Sequence, residues 1–140
     1  MSAPQWKHFE HGADIGVYGN GTTVTETFIQ AALALTAVIT DLDGVAANTK
    51  LEIECEAPDV ELLFVDWLNA LIYEMAIRNM LFSRFEIELT ANHLHAFIWG
   101  EELDQNKHRP AVEVKGATYT ALNVSQDKDG IWSAQTIVDV

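Results

Sequence analysis

The stretch KLEIECEAPDVELLFVDWLNALIYEM, residues 50–75, contains the two hydrophobic patterns that decide the fold. In KLEIEC (50–55), apolar and polar residues alternate, which predicts a strand with one buried and one solvated face. After Pro58, Asp59 is predicted to be the N-cap of a helix. Apolar residues then recur at helical spacing: Phe64, Trp67, Leu68, Leu71, Ile72 and Met75. A strand followed at once by an amphipathic helix indicates a domain that contains both kinds of element.

Two further strands are predicted near the N-terminus. WKHFE (6–10) and DIGVY (14–18) are short and rich in aromatic or β-branched residues. They are predicted to be joined by a bend at Gly12. The glycine-rich GNG (19–21) that follows is interpreted as a turn.

A second amphipathic helix is predicted after this turn. Thr23 and Glu26 have the spacing of a capping box, which marks the start of a helix. Apolar residues recur at helical spacing from there to about Ile39. Each of the two helices therefore has one apolar side that must be covered.

The second half of the chain changes to the pattern of strands. Four are predicted, separated by turn-forming residues: FEIEL (85–89), HLHAFIW (93–99), AVEVKGATYTALNV (111–124) and IWSAQTIVDV (131–140). The short connections indicate an antiparallel arrangement. The predicted fold class is α+β, with two amphipathic helices packed on one face of a mostly antiparallel β-sheet.

Length and composition predict one domain over residues 1–140, because 140 residues of which 49% are hydrophobic suffice for a single core. The chain has one cysteine, Cys55, so no internal disulfide can form and a reducing compartment is expected. No secretory signal is recognised, and the longest mostly apolar run (31–39) is too short to span a membrane. A cytoplasmic protein without membrane contact, present as a monomer, is expected.

The charge of the chain restricts its partners. Asp and Glu number 21 against 8 Lys and Arg, which gives a net charge of −13. Proteins that bind nucleic acid do so with clusters of basic side chains, and a field this negative repels phosphate backbones. Direct binding of RNA or DNA is therefore not expected, whereas cations and basic protein surfaces are favoured.

Individual side chains must carry any chemistry, since the sequence contains no P-loop, nucleophile-elbow or zinc-protease helix motif. His93 and His95 lie two positions apart on a predicted strand and so project from one face, as in some metal sites. One interpretation is a stand-alone metal-dependent hydrolase that uses both, with a carboxylate such as Glu101 or Asp14. The other is a solvent-facing pair opposite the apolar side of the strand.

Asp14 and Asp139 are far apart in sequence but could meet in the fold. If the first and last strands pair, the two side chains and the α-carboxylate of Val140 would converge at one end of the sheet. Each pair of like charges at about 4 Å repels by roughly 1–4 kcal/mol, so such a cluster would require a cation. Oxygen ligands of this kind suit calcium or magnesium. Separate, solvated carboxylates are the simpler alternative.

The whole chain resembles the archease family. The resemblance is carried, in order, by HGADIG (11–16), LLFVDWLNALIYE (62–74), WGEELD (99–104), KHRP (107–110), VEVKGATYTAL (112–122) and the ending IVDV (137–140). It implies two helices on one side of a β-sheet. It also implies an accessory protein, not an enzyme, that activates an RtcB-type RNA ligase in tRNA splicing and RNA repair. Such a protein promotes guanylylation of the ligase by GTP and restores its turnover, and it meets RNA only through the ligase.

The resemblance also assigns residues. It implies a divalent-metal site, with calcium expected and magnesium as the alternative, at Asp14, Asp139 and the terminal carboxylate of Val140. The family's functional lysine corresponds to Lys115, which could contact a phosphate of GTP or the partner's carboxylates, or be an ordinary solvated lysine. Gly12 stands where the family usually has threonine. Three hypotheses follow: a metal-dependent ligase activator, a metal-dependent hydrolase, and an interaction module without metal.

Overall fold

Two antiparallel sheets and two long helices make up residues 3–140, which are the residues described in this computed structural model. Met1 and Ser2, where the predicted domain begins, lie outside the described residues. The elements are β1 Gln5–His11, β2 Asp14–Gly21, α1 Val24–Ile39, a 3₁₀ turn Leu42–Gly44, β3 Thr49–Glu56, α2 Val60–Arg78, β4 Met80–Thr90, β5 His93–Glu102, α3 Gln105–His108, β6 Gly116–Ala117, β7 Asn123–Gln126 and β8 Trp132–Asp139.

The larger sheet is built around β8. Its order is β1-β2-β8-β6, and β7 pairs with β8 on the same side as β6. β2 and β8 pair antiparallel from Ile15 opposite Val138 to Gly21 opposite Trp132. The strand that begins at Asp14 therefore runs beside the strand that ends at Asp139.

The smaller sheet has the order β3-β5-β4. Its central strand shows the expected alternation, since Leu94, Ala96 and Ile98 are fully buried. The residues between them, including His93 and His95, face the other side and remain partly exposed. One side of this sheet thus belongs to the core and the other is open to solvent.

Helices α1 and α2 join the two sheets. Each contacts strands of both sheets, and the indole Nε1 of Trp67 in α2 donates a hydrogen bond to the Phe28 carbonyl in α1 at 3.1 Å. Both helix starts are capped as predicted. The Thr23 hydroxyl accepts from the Glu26 amide and the Asp59 carboxylate accepts from the Leu62 amide. Within residues 3–140, no helix has the length and apolar character needed to cross a membrane.

The predicted α+β class is confirmed, but the strands divide between two sheets instead of forming one. GNG (19–21) is not a turn, because these residues continue β2 to Gly21. The glycine at position 19 is explained by packing. A Cβ there would lie 2.5 Å from the Ala31 amide nitrogen and 2.6 Å from the Thr27 carbonyl oxygen, so α1 approaches β2 too closely for a side chain.

The strand predicted over 111–124 is also only partly present. Regular pairing is limited to Gly116–Ala117 and Asn123–Gln126. Between them, the Thr118 amide and hydroxyl both donate to the Ile137 carbonyl, at 3.0 Å and 2.8 Å, and the Thr136 hydroxyl donates to the Thr118 carbonyl at 2.5 Å. The threonine hydroxyls thus share carbonyls with backbone amides and the pairing with β8 becomes irregular, which the alternating pattern does not reveal.

Candidate functional site

Strand pairing brings Asp14 and the end of β8 together. Ile15 lies opposite Val138, so Asp14 and Asp139 occupy the next positions along the two strands. The Val140 amide nitrogen lies 3.4 Å from the Asp14 Oδ1 atom. Asp14 and Val140 are half-buried and Asp139 is exposed. The two aspartates and Val140 therefore share one end of the larger sheet.

Lys115 lies at the same end, on the other side of β8. Its amide donates to the Asp139 carbonyl at 2.8 Å, and its neighbour Gly116 pairs with Asp139. Lys115 is exposed, and within residues 3–140 no acidic group lies within 4.0 Å of its ammonium. Its positive charge is thus available to an anion from another molecule.

Asn69, in α2, fixes the segment that carries Lys115. Its side-chain oxygen accepts from the Ala117 amide at 2.9 Å, and its side-chain nitrogen donates to the Ala117 carbonyl at 3.3 Å. These two bonds imitate the pairing of a neighbouring strand and hold β6 between α2 and β8. Sequence reasoning did not identify Asn69. The only signal was a polar residue next to the apolar stripe of α2.

This end of the sheet has the donor chemistry that calcium or magnesium requires. The carboxylates of Asp14 and Asp139 supply oxygen atoms, and no cysteine or histidine is needed to complete the set. Among residues 3–140 the one hydrogen bond to the Asp14 carboxylate comes from the Val140 amide, at the long distance of 3.4 Å, so most of the acceptor capacity of this carboxylate is unused. The residues present therefore fit a hard cation.

Gly12 occupies the turn that precedes Asp14. His11 and Asp14 pair across the β1–β2 hairpin, which leaves a two-residue loop of Gly12 and Ala13. Gly12 has φ +61°, and positive φ at the first loop position is typical of a type II′ turn, where glycine is preferred. The glycine at this position thus follows from the local backbone, and the threonine usual in the family would be strained in the same conformation.

His93 and His95 lie on the open face of the smaller sheet, away from Asp14. Their partners come from β3: Glu52 Oε2 hydrogen-bonds His95 Nε2, and Glu54 Oε2 lies 3.5 Å from His93 Nε2. The hydrogen bond that the Glu52 carboxylate accepts raises the pKa of His95 above its usual value. The histidines therefore meet two glutamates that were not considered, because the β3–β5 register is not visible in the sequence.

Glu101 does not join the histidines, contrary to that hypothesis. One of its oxygens, Oε2, accepts from the Lys107 ammonium at 2.7 Å and from the Ala46 amide at 2.8 Å, and lies 2.9 Å from His108 Nε2. The Asp104 amide donates to His108 Nδ1, which leaves Nε2 as the proton-bearing nitrogen that donates to Glu101. Glu101 is thus occupied by a buried structural network and is not available to His93 or His95.

We expect Glu101→Gln to lower the free energy of unfolding by about 1–3 kcal/mol at pH 7, because it weakens several charge-assisted bonds around a buried histidine. The bond from Lys107 is the largest cause that lowers the pKa of Glu101, to about 2. The pKa of Glu101 is lower in the folded state than in the unfolded state, where it is 4.5. The stabilisation by the ionised Glu101 is therefore fully present above pH 4.5 and is lost as the pH falls towards 2. The difference between wild type and variant should therefore shrink between pH 4.5 and pH 2.

Urea unfolding at several pH values measures this difference. The adjacent Glu102→Gln is the matched control, since Glu102 is exposed. A constant difference between Glu101→Gln and wild type from pH 7 to pH 2 would contradict the assigned role.

Cys55 is a poor candidate for a nucleophile. Burial, with a smaller contribution from the charge of Asp66, raises the pKa of its thiol to about 11. The thiol is therefore protonated at neutral pH, and only a thiolate is strongly nucleophilic.

Known proteins resemble this chain over nearly its whole length. Residues 6–140 match the model of the Archease protein family. The protein archease of Pyrococcus furiosus is 36% identical over 140 residues, which are 97% of this chain and 99% of the relative. The protein archease of Thermococcus gammatolerans is 39% identical with the same coverage, and that of Methanosarcina mazei is 34% identical, covering 97% of this chain and 96% of the relative.

Two solved structures share the fold. The solution structure of Methanobacterium thermoautotrophicum protein 1598 is 29% identical, covers all of both chains and superposes with a TM-score of 0.79. The crystal structure of a Thermotoga maritima protein, described as an archease and possible chaperone, is 21% identical with a TM-score of 0.59 and covers 96% of each chain. At that identity the second similarity supports the fold alone.

Proposed function

Because this chain belongs to the archease family, we propose that it is an accessory protein that activates an RtcB-type RNA ligase by promoting its guanylylation and multiple turnover. The observation that carries the proposal is the meeting of Asp14, Asp139, Val140 and Lys115 at one end of the larger sheet. These are the positions that the family resemblance assigned to function, and three separate parts of the fold bring them together: the start of β2, the end of β8 and the segment before β6.

We propose that Asp14, Asp139 and the carboxylate of Val140 hold a divalent cation, with calcium expected and magnesium as the alternative. When bound, such a cation would offset two of the three carboxylate charges and could attract phosphate oxygens. Lys115 adds a positive charge on the other side of β8. The hydrogen bonds from Asn69 to Ala117 fix the backbone beside this lysine, so its position is defined before a partner arrives.

The charge of the protein supports a protein partner. At −13, the chain complements a basic surface such as that of an RNA-handling enzyme, and it would repel RNA itself. RNA is therefore proposed to be bound by the ligase alone, during tRNA splicing and RNA repair. The protein is proposed to act as a monomer in the cytoplasm.

Single-turnover guanylylation of the cognate ligase by GTP, with and without this protein, tests the proposal. We expect acceleration by the wild type and at least a tenfold loss of it in Lys115→Ala, equivalent to about 1.4 kcal/mol. Lys115→Arg should retain part of the effect if charge alone is needed. Lys128→Ala removes an exposed lysine from a distant turn and should have no effect. If the wild type does not accelerate guanylylation, the proposed function is wrong.

A further inference from the structure

The open face of the smaller sheet combines imidazoles and carboxylates on adjacent strands. Glu54 of β3 lies opposite His95 of β5, and Glu52 lies two residues away on the same face of β3. Glu88 of β4 lies opposite His95 on the other side. In an antiparallel sheet, opposite residues project from the same face with Cβ atoms about 5 Å apart, so three carboxylates surround one imidazole.

The donor atoms of three of these residues converge. One ligand atom each from Glu52, Glu54 and His95 lies within 4.8 Å of the others. His93 is next to them, with its Nε2 atom 3.5 Å from Glu54 Oε2. Two regular strands fix the main chain below all four side chains, so small rotations of the side chains are enough to close the donors around one ion.

The negative charge of this cluster is not balanced by the cations on the same face. The Lys50 ammonium lies 4.1 Å from the centre of the Phe97 ring. The Arg84 guanidinium lies 4.3 Å from the centre of the Trp99 ring and forms an ion pair with Glu86. Among the described residues, neither Lys50 nor Arg84 forms an ion pair with Glu52, Glu54 or Glu88. The arrangement therefore retains an excess of negative charge that a divalent cation would neutralise.

We propose that Glu52, Glu54 and His95 form a site for a divalent transition-metal cation of the zinc class, with His93 as a fourth donor. Mixed imidazole and carboxylate donors suit zinc and its neighbours in the first transition series, whereas calcium and magnesium prefer oxygen alone. The site lies in the smaller sheet and Asp14 in the larger, so it is distinct from the proposed calcium site. A bound ion would clamp the edge strand β3 to the central strand β5.

Calorimetric titration with zinc chloride, after the protein has been treated with a chelator and dialysed, tests this site. We expect one zinc ion per chain, and a loss of at least about tenfold in affinity for each of Glu52→Gln, Glu54→Gln and His95→Gln. The His95 ring nitrogens should shift in NMR spectra on addition of zinc and not of calcium. Thermal unfolding of the wild type should move to higher temperature with zinc, and that of His95→Gln should not.

Two control variants separate this site from its surroundings. Glu86→Gln removes a carboxylate from the same face that is already paired with Arg84, and it should bind zinc as the wild type does. Asp14→Asn should also bind zinc as the wild type does, because Asp14 lies in the other sheet. The zinc titration therefore gives the same answer whether or not the proposed ligase function is correct. The proposal is overturned if the wild type does not bind zinc, if His95→Gln binds it equally well, or if binding is lost in Asp14→Asn.

Discussion

Asp14→Asn is expected to abolish activation of the ligase, with a loss on the order of 10²–10³ in the rate of guanylylation, the range typical when a key electrostatic contact is removed. Asparagine has nearly the same shape, and its side-chain oxygen can still accept from the Val140 amide that lies 3.4 Å away. The substitution therefore removes the charge and little else. Asp139→Asn should have a similar effect, because Asp139 occupies the facing position on β8.

The stability of these variants distinguishes loss of a ligand from misfolding. Two carboxylates at one end of a sheet repel each other, so without metal Asp14→Asn should be at least as stable as the wild type. With calcium, the wild type should gain stability, by about 2.7 kcal/mol when the free ion is at 100 times its dissociation constant. The variant should gain little.

Unfolding experiments with and without calcium, together with the guanylylation assay, provide both measurements. Asp129→Asn, an exposed aspartate in the turn before β8, is the matched control and should behave as wild type. Equal stabilisation of Asp14→Asn and wild type by calcium would show that Asp14 is not a ligand.

Gly100→Ala is expected to lower the free energy of unfolding more than any other substitution that adds one methyl group in the smaller sheet. A Cβ at position 100 would lie 1.8 Å from the Leu81 carbonyl oxygen and 2.8 Å from the Phe82 Cα. These are backbone atoms of β4, where the register shifts between Phe82 and Arg84. They cannot move without breaking the pairing of β4 with the central strand. We expect a cost of about 3 kcal/mol or more, at the upper end of the range for overpacking.

Urea unfolding of Gly100→Ala and Gly44→Ala measures this cost against a suitable control. A Cβ at Gly44 would meet nothing within 4 Å, and its φ is not positive. Gly44→Ala should therefore change stability by no more than about 0.5–1 kcal/mol, and could raise it by restricting the unfolded chain. A similar result for both variants would mean that β4 and β5 are not packed as closely as described.

Much of the fold could be predicted because its signals are local. The capping residues Thr23 and Asp59, the helical stripes and the alternation around Leu94 each depend on neighbours within a few positions. The division into two sheets was missed, because strand patterns do not specify which strands pair. Gly19 was misinterpreted for a related reason: a glycine that admits a crossing helix looks the same in sequence as one that forms a turn.

The site residues illustrate the same limit. Asp14 and Asp139 were connected by assuming that the first and last strands pair, whereas β2, the second strand, is the partner of β8. Glu52 and Glu54 were assigned only to the solvated side of their strand. Their meeting with His95 depends on the β3–β5 register, which is set by tertiary packing. Residue type was therefore informative about chemistry, and only the three-dimensional structure showed which residues are neighbours.

The central position of β8 determines when the molecule can be completed during protein synthesis. Gly21 of β2 pairs with Trp132 of β8, which is synthesised 111 positions later in the chain. Until β8 has left the ribosome, the edge of β2 that pairs with β8 has no partner. Unpaired strand edges can associate with other chains. Pairing across so long a separation is also slow. The end of the sheet that holds Asp14 therefore takes its folded form only after the segment that contains β8 has been synthesised.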